Sequence, residues 1–416
     1  MNNNDASDAT DRSAAGRQRP SDALLILNLV AQMAYGLLAM TICLPSMPEW
    51  GPLFGADAAS VQLTFGGYVV AYGGLQLIHG PLSDRHGRRQ VLVAGLALGG
   101  AASLAAVFAD TLAELVAARI VQGAGCAACM VVGRASVQDF FDGAERTRVM
   151  AYVGMAMGVV PPLATVIGGQ LHVRLGWQAN FVLLAGLSLL LMAMAWRGPA
   201  RRAAARRAAA AHDAAGAHWL RTMGRAYGRL LREPAFVLPT VIISTAAAAF
   251  YAFLGAAPLV LHSYGVGPDG VGWYMMISPL SYIVGNFLAS RLVHRIGDQR
   301  LMAIGEALSL ASIAIVIALA GWLPTPLAFA LPLVLLGIGH GFLIPPALAA
   351  SVGVMPALAG SAAALGGLVQ QFTGALGSYA VGWVSHDGPL QTALVMLAFM
   401  LLAGAALWGL RRRALV

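Results

Sequence analysis

Apolar runs of about twenty residues recur twelve times along this 416-residue chain, and they leave it one solvent, a lipid bilayer. A helix rises about 1.5 Å per residue, so about twenty residues cross a hydrocarbon core of roughly 30 Å. The runs cover residues 22–44, 60–80, 90–109, 112–135, 147–170, 179–196, 236–258, 270–292, 301–321, 327–349, 360–384 and 390–410. Charged residues make up only 11% of the chain, against about 25% in a soluble domain, too few to cover a water-facing surface of this size. The 49 glycines would weaken helices in water. Between membrane helices, small residues instead permit close approach, as in the spacing Gly95-Leu-Ala-Leu-Gly99. The expected fold class is therefore all-α and integral to the membrane.

Arginine sets the orientation. The chain has no lysine, so all 26 positive charges are arginines, set against 18 acids. With the N-terminus inside, 24 of the 26 fall in cytoplasmic segments. Only Arg174 falls in an outer loop, and only Arg119 lies well inside a span. Both termini are expected to be cytoplasmic. A basic chain can signal nucleic-acid binding, but these arginines sit between apolar runs, so the expected partner is the lipid bilayer and no nucleic acid. The first twenty residues are polar, with no apolar core region for a cleavable signal peptide. Cys43, Cys126 and Cys129 are too few for a disulfide framework and lie within apolar runs.

Six spans precede residues 197–235 and six follow. The expected division is a polar tail (1–21), a six-helix bundle (22–196), a basic linker (197–235), a second six-helix bundle (236–410) and a short tail (411–416). The alanine-rich linker reads most simply as a flexible tether. Part of it has the composition of an amphipathic helix that would lie along the inner leaflet, where arginine attracts anionic lipid. The two halves also echo each other: Leu82-Ser-Asp-Arg-His-Gly87 follows span 2, and Leu292-Val-His-Arg-Ile-Gly297 follows span 8.

Three segments carry more specific patterns. Gly80-Pro-Leu-Ser-Asp84-Arg85-His-Gly87-Arg88-Arg89 is a glycine-bearing turn with one acid and several arginines at the membrane surface. Arg119-Ile-Val-Gln122-Gly123 places a charge inside span 4, at an insertion cost of roughly 2.5–3.5 kcal/mol, so Arg119 must face a cavity or a partner. Span 5 contains Gly154, Gly158, Pro161, Pro162, Gly168 and Gly169, followed by Gly176-Trp177. Its glycines permit close packing, and its prolines free backbone carbonyls.

These segments resemble the loop motif, the span 4 motif and the antiporter motif of the major facilitator superfamily. The resemblance implies two pseudo-symmetric six-helix bundles that rock about a central site. It implies that Arg134 and Asp139, at the cytoplasmic end of span 4, join Gly80, Asp84, Arg85, Gly87 and Arg88 in an inner gate, with Asp139 paired to Arg88 or Arg85. Leu44-Pro45-Ser-Met-Pro48, Arg134-Ala-Ser-Val-Gln-Asp139, Phe253-Leu-Gly-Ala-Ala-Pro258 and Ala359-Gly-Ser-Ala-Ala-Ala-Leu365 are similar to the Bcr/CflA drug-resistance branch, the bicyclomycin and chloramphenicol type. That branch implies secondary export of small drug-like molecules with the proton as counter-ion, by a monomer without a cofactor.

One departure concerns coupling. The branch usually carries an aspartate in span 1, three residues before the Leu-Pro, where this chain has Thr41. An intramembrane carboxylate is the usual carrier of a coupling proton. Glu114, Glu306 and His340 are the substitutes within the spans; for Glu306 snorkelling toward Arg295 or Arg300 is the simpler expectation, and for His340 helix packing. The same fold without coupling, or a metabolite or siderophore exporter, is the alternative.

Polar periodicity marks the candidate substrate wall. Asn28, Gln32 and Tyr35 form a stripe on span 1, and Thr64, Tyr68, Tyr72, Gln76 and His79 form one on span 2. Arg119 and Gln122, Phe250, Tyr251 and Phe253, Tyr274, Tyr282 and Asn286, and Gln370, Gln371 and Phe372 complete it. An aromatic and amide wall with one arginine suits neutral or weakly polar molecules. Gly123-Ala-Gly125 lacks the strand of a dinucleotide site, Cys126-Ala-Ala-Cys129 lacks a redox fold, and the nine histidines show no metal-ligand spacing. No nucleophile–base pair stands out within the spans, so an enzyme is not expected.

Overall fold

The computed structural model describes residues 20–141, 143–197, 219–355 and 358–414. Most of the polar tail and residues 198–218 of the linker lie outside the described residues. The first half contains α1 (Pro20–Thr41), α2 (Met47–Phe54), α3 (Ala58–His86), α4 (Arg88–Val107), α5 (Leu112–Phe140), α6 (Gly143–Leu175) and α7 (Gln178–Arg197). A short helix, α8 (Trp219–Leu230), precedes the second half. That half contains α9 (Pro234–Ser263), α10 (Pro268–Met275), α11 (Ile277–Ile296), α12 (Asp298–Ala320), α13 (Pro326–Ala330), α14 (Leu333–Gly353), α15 (Ala359–Val381) and α16 (Leu390–Ala414).

All twelve apolar runs fall on these helices. Among the described residues, ten helices are long and apolar enough to cross a membrane. α3 and α15 are not among them, because they carry the amide and aromatic stripes of spans 2 and 11. These two least apolar long helices pack against each other across the two halves. That contact shields their polar faces from lipid.

The sequence echo has a backbone counterpart. Gly87 ends α3 and begins α4 at φ 93° and ψ 140°; Gly297 ends α11 and begins α12 at φ 77° and ψ 159°. An L side chain is strained at both positions, so each half needs glycine for the same turn.

Small residues set the helix spacing inside each half. Gly95 and Gly99 of α4 lie against Gly125 of α5, where an added Cβ at Gly125 would meet the Gly95 carbonyl at 2.6 Å. In the second half, Gly305 and Ser309 of α12 lie against Gly339 of α14, and Gly285 of α11 against Gly341. Backbone contact of this kind replaces the hydrophobic drive that lipid cannot supply.

The halves meet mainly at the end away from the arginine-rich loops. There Gly382 lies against Ala59, Gly66 against the Ala375 carbonyl and Gly73 against Gln371, all between α3 and α15. α6 and α10 close the opposite seam through Gly169 with Pro268 and Gly272 with Thr165 and Val166. Toward the arginine-bearing end, glycines on the facing helices, Gly154 of α6 and Gly366 and Gly367 of α15, have no neighbour within 4 Å of an added Cβ.

Candidate substrate pathway

Arg119 is fully buried and joins three helices. α1 stops at Thr41, and Pro45 has no N–H to continue the ladder, so the last carbonyls of α1 need other donors. Arg119 donates through Nη1 to Ala39 O at 2.8 Å and through Nη2 to Met40 O at 3.3 Å. Its Nε donates to Thr64 O of α3 at 3.3 Å, and Nη1 also donates to Gln122 Oε1. The guanidinium stands 4.3 Å from the ring centroid of Tyr68. A cation at a helix C-terminus is stabilised by the helix dipole, so Arg119 is compensated without a carboxylate.

The residues around it belong to the same framework. Gln122 donates to Ser103 Oγ of α4 at 2.6 Å, and Tyr68 OH donates to Gly36 O at 2.7 Å. Tyr72 stacks on Tyr68 with ring centroids 5.9 Å apart, its hydroxyl buried without a partner.

The span 1 stripe is placed differently from the expectation of a wall facing the gap between halves. Tyr35 donates to Leu184 O of α7 at 3.0 Å, and Gln32 donates to Asn28 Oδ1 at 2.7 Å. Asn28 and Gln32 line a small crevice with Arg88, Leu92 and Ser136, inside the first half. Helical periodicity identifies a polar face but not which neighbour it meets. Phe253 is likewise a packing residue, buried against Phe250 and Phe329.

Between the halves stands a smaller group. Tyr251 donates to Gln371 Oε1 at 3.0 Å, and Gln371 presses on Gly73. Phe65 of α3 meets Tyr251 edge-on at 5.8 Å. Gln370 and Tyr282 are half-buried, and Phe372 is exposed and lies beside Gly74. Toward the arginine-poor end, Gln62 donates to Gly255 O at 2.7 Å and accepts from Ser378 Oγ at 3.0 Å. Gln62 and Ser378 were absent from the sequence expectation. Gln62 precedes the Thr64–His79 stripe on span 2 and was the signal available.

At the arginine-bearing end, Arg88 begins α4 and joins two acids. It lies 2.6 Å from Asp84 and 3.4 Å from Asp139, and it also donates to Ser83 Oγ. Of the two arginines expected as partners of Asp139, the structure brings Arg88 to it. Arg85 and Arg134 are exposed, and neither has a described partner. Gly80 lies beside Val131.

In the glycine- and proline-rich segment, α6 stays helical through Pro161 and Pro162. The Pro161 carbonyl lies 3.3 Å from Thr41 Oγ1, which also donates to Leu37 O at 3.0 Å. Thr41 thus joins α1 to α6. An added Cβ at Gly168 would overlap the Ile42 carbonyl, and one at Gly169 the Pro268 carbonyl. At Gly158 it would meet Ile283 at 3.0 Å, and at Gly154 nothing within 4 Å.

The three coupling candidates separate. Glu114 is exposed and caps α5: its carboxylate accepts from the backbone N–H groups of Asp110 and Thr111, and its own N–H donates to Thr111 Oγ1. That capping box corrects its placement inside the bilayer. Glu306 is buried beside Gly404 of α16 with neither carboxyl oxygen bonded. The expected snorkelling toward Arg295 or Arg300 is therefore corrected. His340 is buried in α14 with Nε2 unpartnered.

The sequence and fold both have close counterparts among known proteins. The family model described as Major Facilitator Superfamily matches residues 24–377 and 240–415. The chloramphenicol resistance protein of Pseudomonas aeruginosa is 28% identical over 309 residues, covering 73% of this chain and 70% of that protein. The bicyclomycin resistance protein homolog of Haemophilus influenzae is 25% identical over 410 residues, covering 96% and 98%. The crystal structure of a D-xylose–proton symporter superposes with a TM-score of 0.73 at 14% identity, covering 92% of this chain and 97% of that one. The drug-resistance names match the Bcr/CflA resemblance of the motifs, and the family is one of transporters rather than enzymes. The chain is a membrane transporter and belongs to the Major Facilitator Superfamily.

Proposed function

We propose that this protein exports hydrophobic or weakly polar small molecules across a bacterial inner membrane by alternating access, in exchange for protons. The observation that carries the reading is the asymmetric seam between the halves. α3 with α15 and α6 with α10 are joined at the arginine-poor end, while nearer the arginine-bearing end Gly154, Gly366 and Gly367 have no close neighbour, and Tyr251 bonds Gln371 between the two regions. With the arginine-bearing end cytoplasmic and both termini on that side, the gap opens inward. The drug-resistance names of the relatives support the substrate class.

In this reading Arg119 holds the bend after α1 and shapes the first half of the site. Its donors are engaged with backbone carbonyls and Gln122, so its part in substrate binding is indirect. Arg88 holds Asp84 and Asp139 together at the inner face, and this cluster secures the inner ends of the helices when they close. Glu306 is the coupling acid of choice, because a buried carboxyl with no bonded oxygen is costly to keep charged. The protein acts as a monomer.

Transport in proteoliposomes with an imposed pH gradient and a panel of chloramphenicol-like and cationic drugs tests the reading. Drug should accumulate against its gradient when protons flow the other way. Movement indifferent to the pH gradient would eliminate antiport and leave an uncoupled exporter. No movement of any drug would overturn the substrate class.

A further inference from the structure

We propose that α8 carries a binding groove for the headgroup of an anionic phospholipid, seated on the segment that links the two halves. The helix has two unlike faces. Leu230 and Tyr227 pack on Phe236 of α9 and on Leu358, Ala362 and Leu365 at the start of α15. The opposite face exposes Arg225 and Arg229, and Arg232 continues it just past the helix end. Spacings of four and three residues put the three guanidinium groups on one side. Beside them Gly224 and Gly228 leave a notch, and the five residues line an open groove of about 550 Å³.

The charges on this face are not compensated by protein. None of the three arginines has an acidic partner among the described residues, and the neighbouring Glu233 is engaged in capping α9 through Ala235 N–H. Like charges four residues apart destabilise an isolated helix, so the arrangement favours an external anion. A guanidinium fork matches phosphate oxygens bidentately, and two glycines without side chains let the phosphate reach the helix surface. The position selects the source of that phosphate. α8 lies against the arginine-bearing ends of α9 and α15, where the chain leaves the bilayer and where anionic headgroups lie. A general excess of arginine on this side would orient the chain without requiring a notch.

The placement has a mechanical consequence. Because α8 rests on the start of α15, a lipid bound to its outer face ties the moving end of a helix that joins the halves to the membrane surface.

The test uses the purified full-length transporter in neutral detergent. Its thermal unfolding is followed while phosphatidylglycerol, phosphatidylcholine or inorganic phosphate is added, and native mass spectrometry counts retained lipids. The melting temperature should rise with phosphatidylglycerol and with neither of the others, and phosphatidylglycerol should stay bound in the mass spectrum. The combined variant Arg225→Gln/Arg229→Gln/Arg232→Gln should lose that rise. Gly228→Leu keeps every charge, and an added Cβ there meets nothing within 4 Å, so it folds while filling the notch. It too should lose the rise and the retained lipid. A full lipid response in the triple variant overturns the site. So does a normal response in Gly228→Leu, which would show diffuse attraction, or a rise with inorganic phosphate alone, which would show a free-anion site. These readouts do not involve transport, so they stand apart from the assignment of drug export.

Discussion

Arg119 Nη1 lies 2.8 Å from the carbonyl oxygen of Ala39, eighty residues earlier, and through it a charge buried in span 4 caps the end of span 1. The pairing explains how the first half tolerates a buried arginine with only carbonyl and amide oxygens as its described acceptors. The end of α1 supplies two carbonyls, α3 a third and Gln122 a side-chain oxygen.

Arg119→Ala should therefore cost both stability and transport. It leaves buried carbonyls without donors, and charged hydrogen bonds contribute about 1.5–3 kcal/mol each. Arg119→Lys keeps the charge but cannot reach α1 and α3 together, so it should recover little. Thermal unfolding in detergent and drug efflux in cells measure the two losses. Full efflux by Arg119→Ala would contradict the bracing role.

The glycines of the antiporter-like segment should not be equivalent. Gly168→Ala puts a Cβ onto the Ile42 carbonyl, a contact between two backbones that no rotamer relieves, and overpacking of this kind costs about 1–3 kcal/mol. Gly154→Ala has open space and should export normally. Equal loss from both, measured as resistance at matched membrane levels, would mean that the segment acts through flexibility rather than close approach.

At the arginine-bearing end, Arg88→Ala should reduce transport and also cost some stability. The pair with Asp84 is partly solvent-exposed, and such pairs contribute about 0–1 kcal/mol, but Asp139 is buried and loses this cation as well. Arg85→Ala should be close to normal, since Arg85 has no described partner. Transport rates of the two variants in proteoliposomes decide between them; the reverse order would reassign the gate.

Much of this arrangement was legible in the chain, and the illegible part has a common physical cause. The twelve apolar runs and the paired glycine turns at Gly87 and Gly297 follow from length, hydropathy and backbone conformation, which are local properties. The choice of neighbour is not local. The stripe of Asn28, Gln32 and Tyr35 turns toward α4, α5 and α7 because six helices compete for its polar face. Glu114 reads as an intramembrane acid by position, yet Thr111 three residues earlier is the first half of a capping box, a short-range signal that outranks the apolar run. Gln62 sits two residues before the span 2 stripe and off its face, and only the approach of Gly255 and Ser378 from the other half gives it a role.

Glu306 offers the sharpest test of coupling. Both its oxygens are buried and unbonded, and Gly404 on α16 leaves room for the carboxyl, since an added Cβ there would sit 3.3 Å from Oε1. A spectator acid in this position is a burden: replacing it with a neutral side chain of similar length should hold or raise stability, by about 1 kcal/mol where an unsatisfied polar group is removed. Glu306→Gln and Glu306→Met should thus fold. As the coupling acid, its loss should abolish drug accumulation driven by a pH gradient while leaving downhill drug exchange intact. Thr41→Asp, which places an acid beside Pro161, should not be required for activity in the wild-type background. In the Glu306→Gln background it should restore some gradient dependence. Gradient-driven accumulation that survives in Glu306→Gln at the wild-type rate would remove Glu306 from the mechanism and turn attention to His340, the other buried titratable side chain with an unpartnered ring nitrogen in α14.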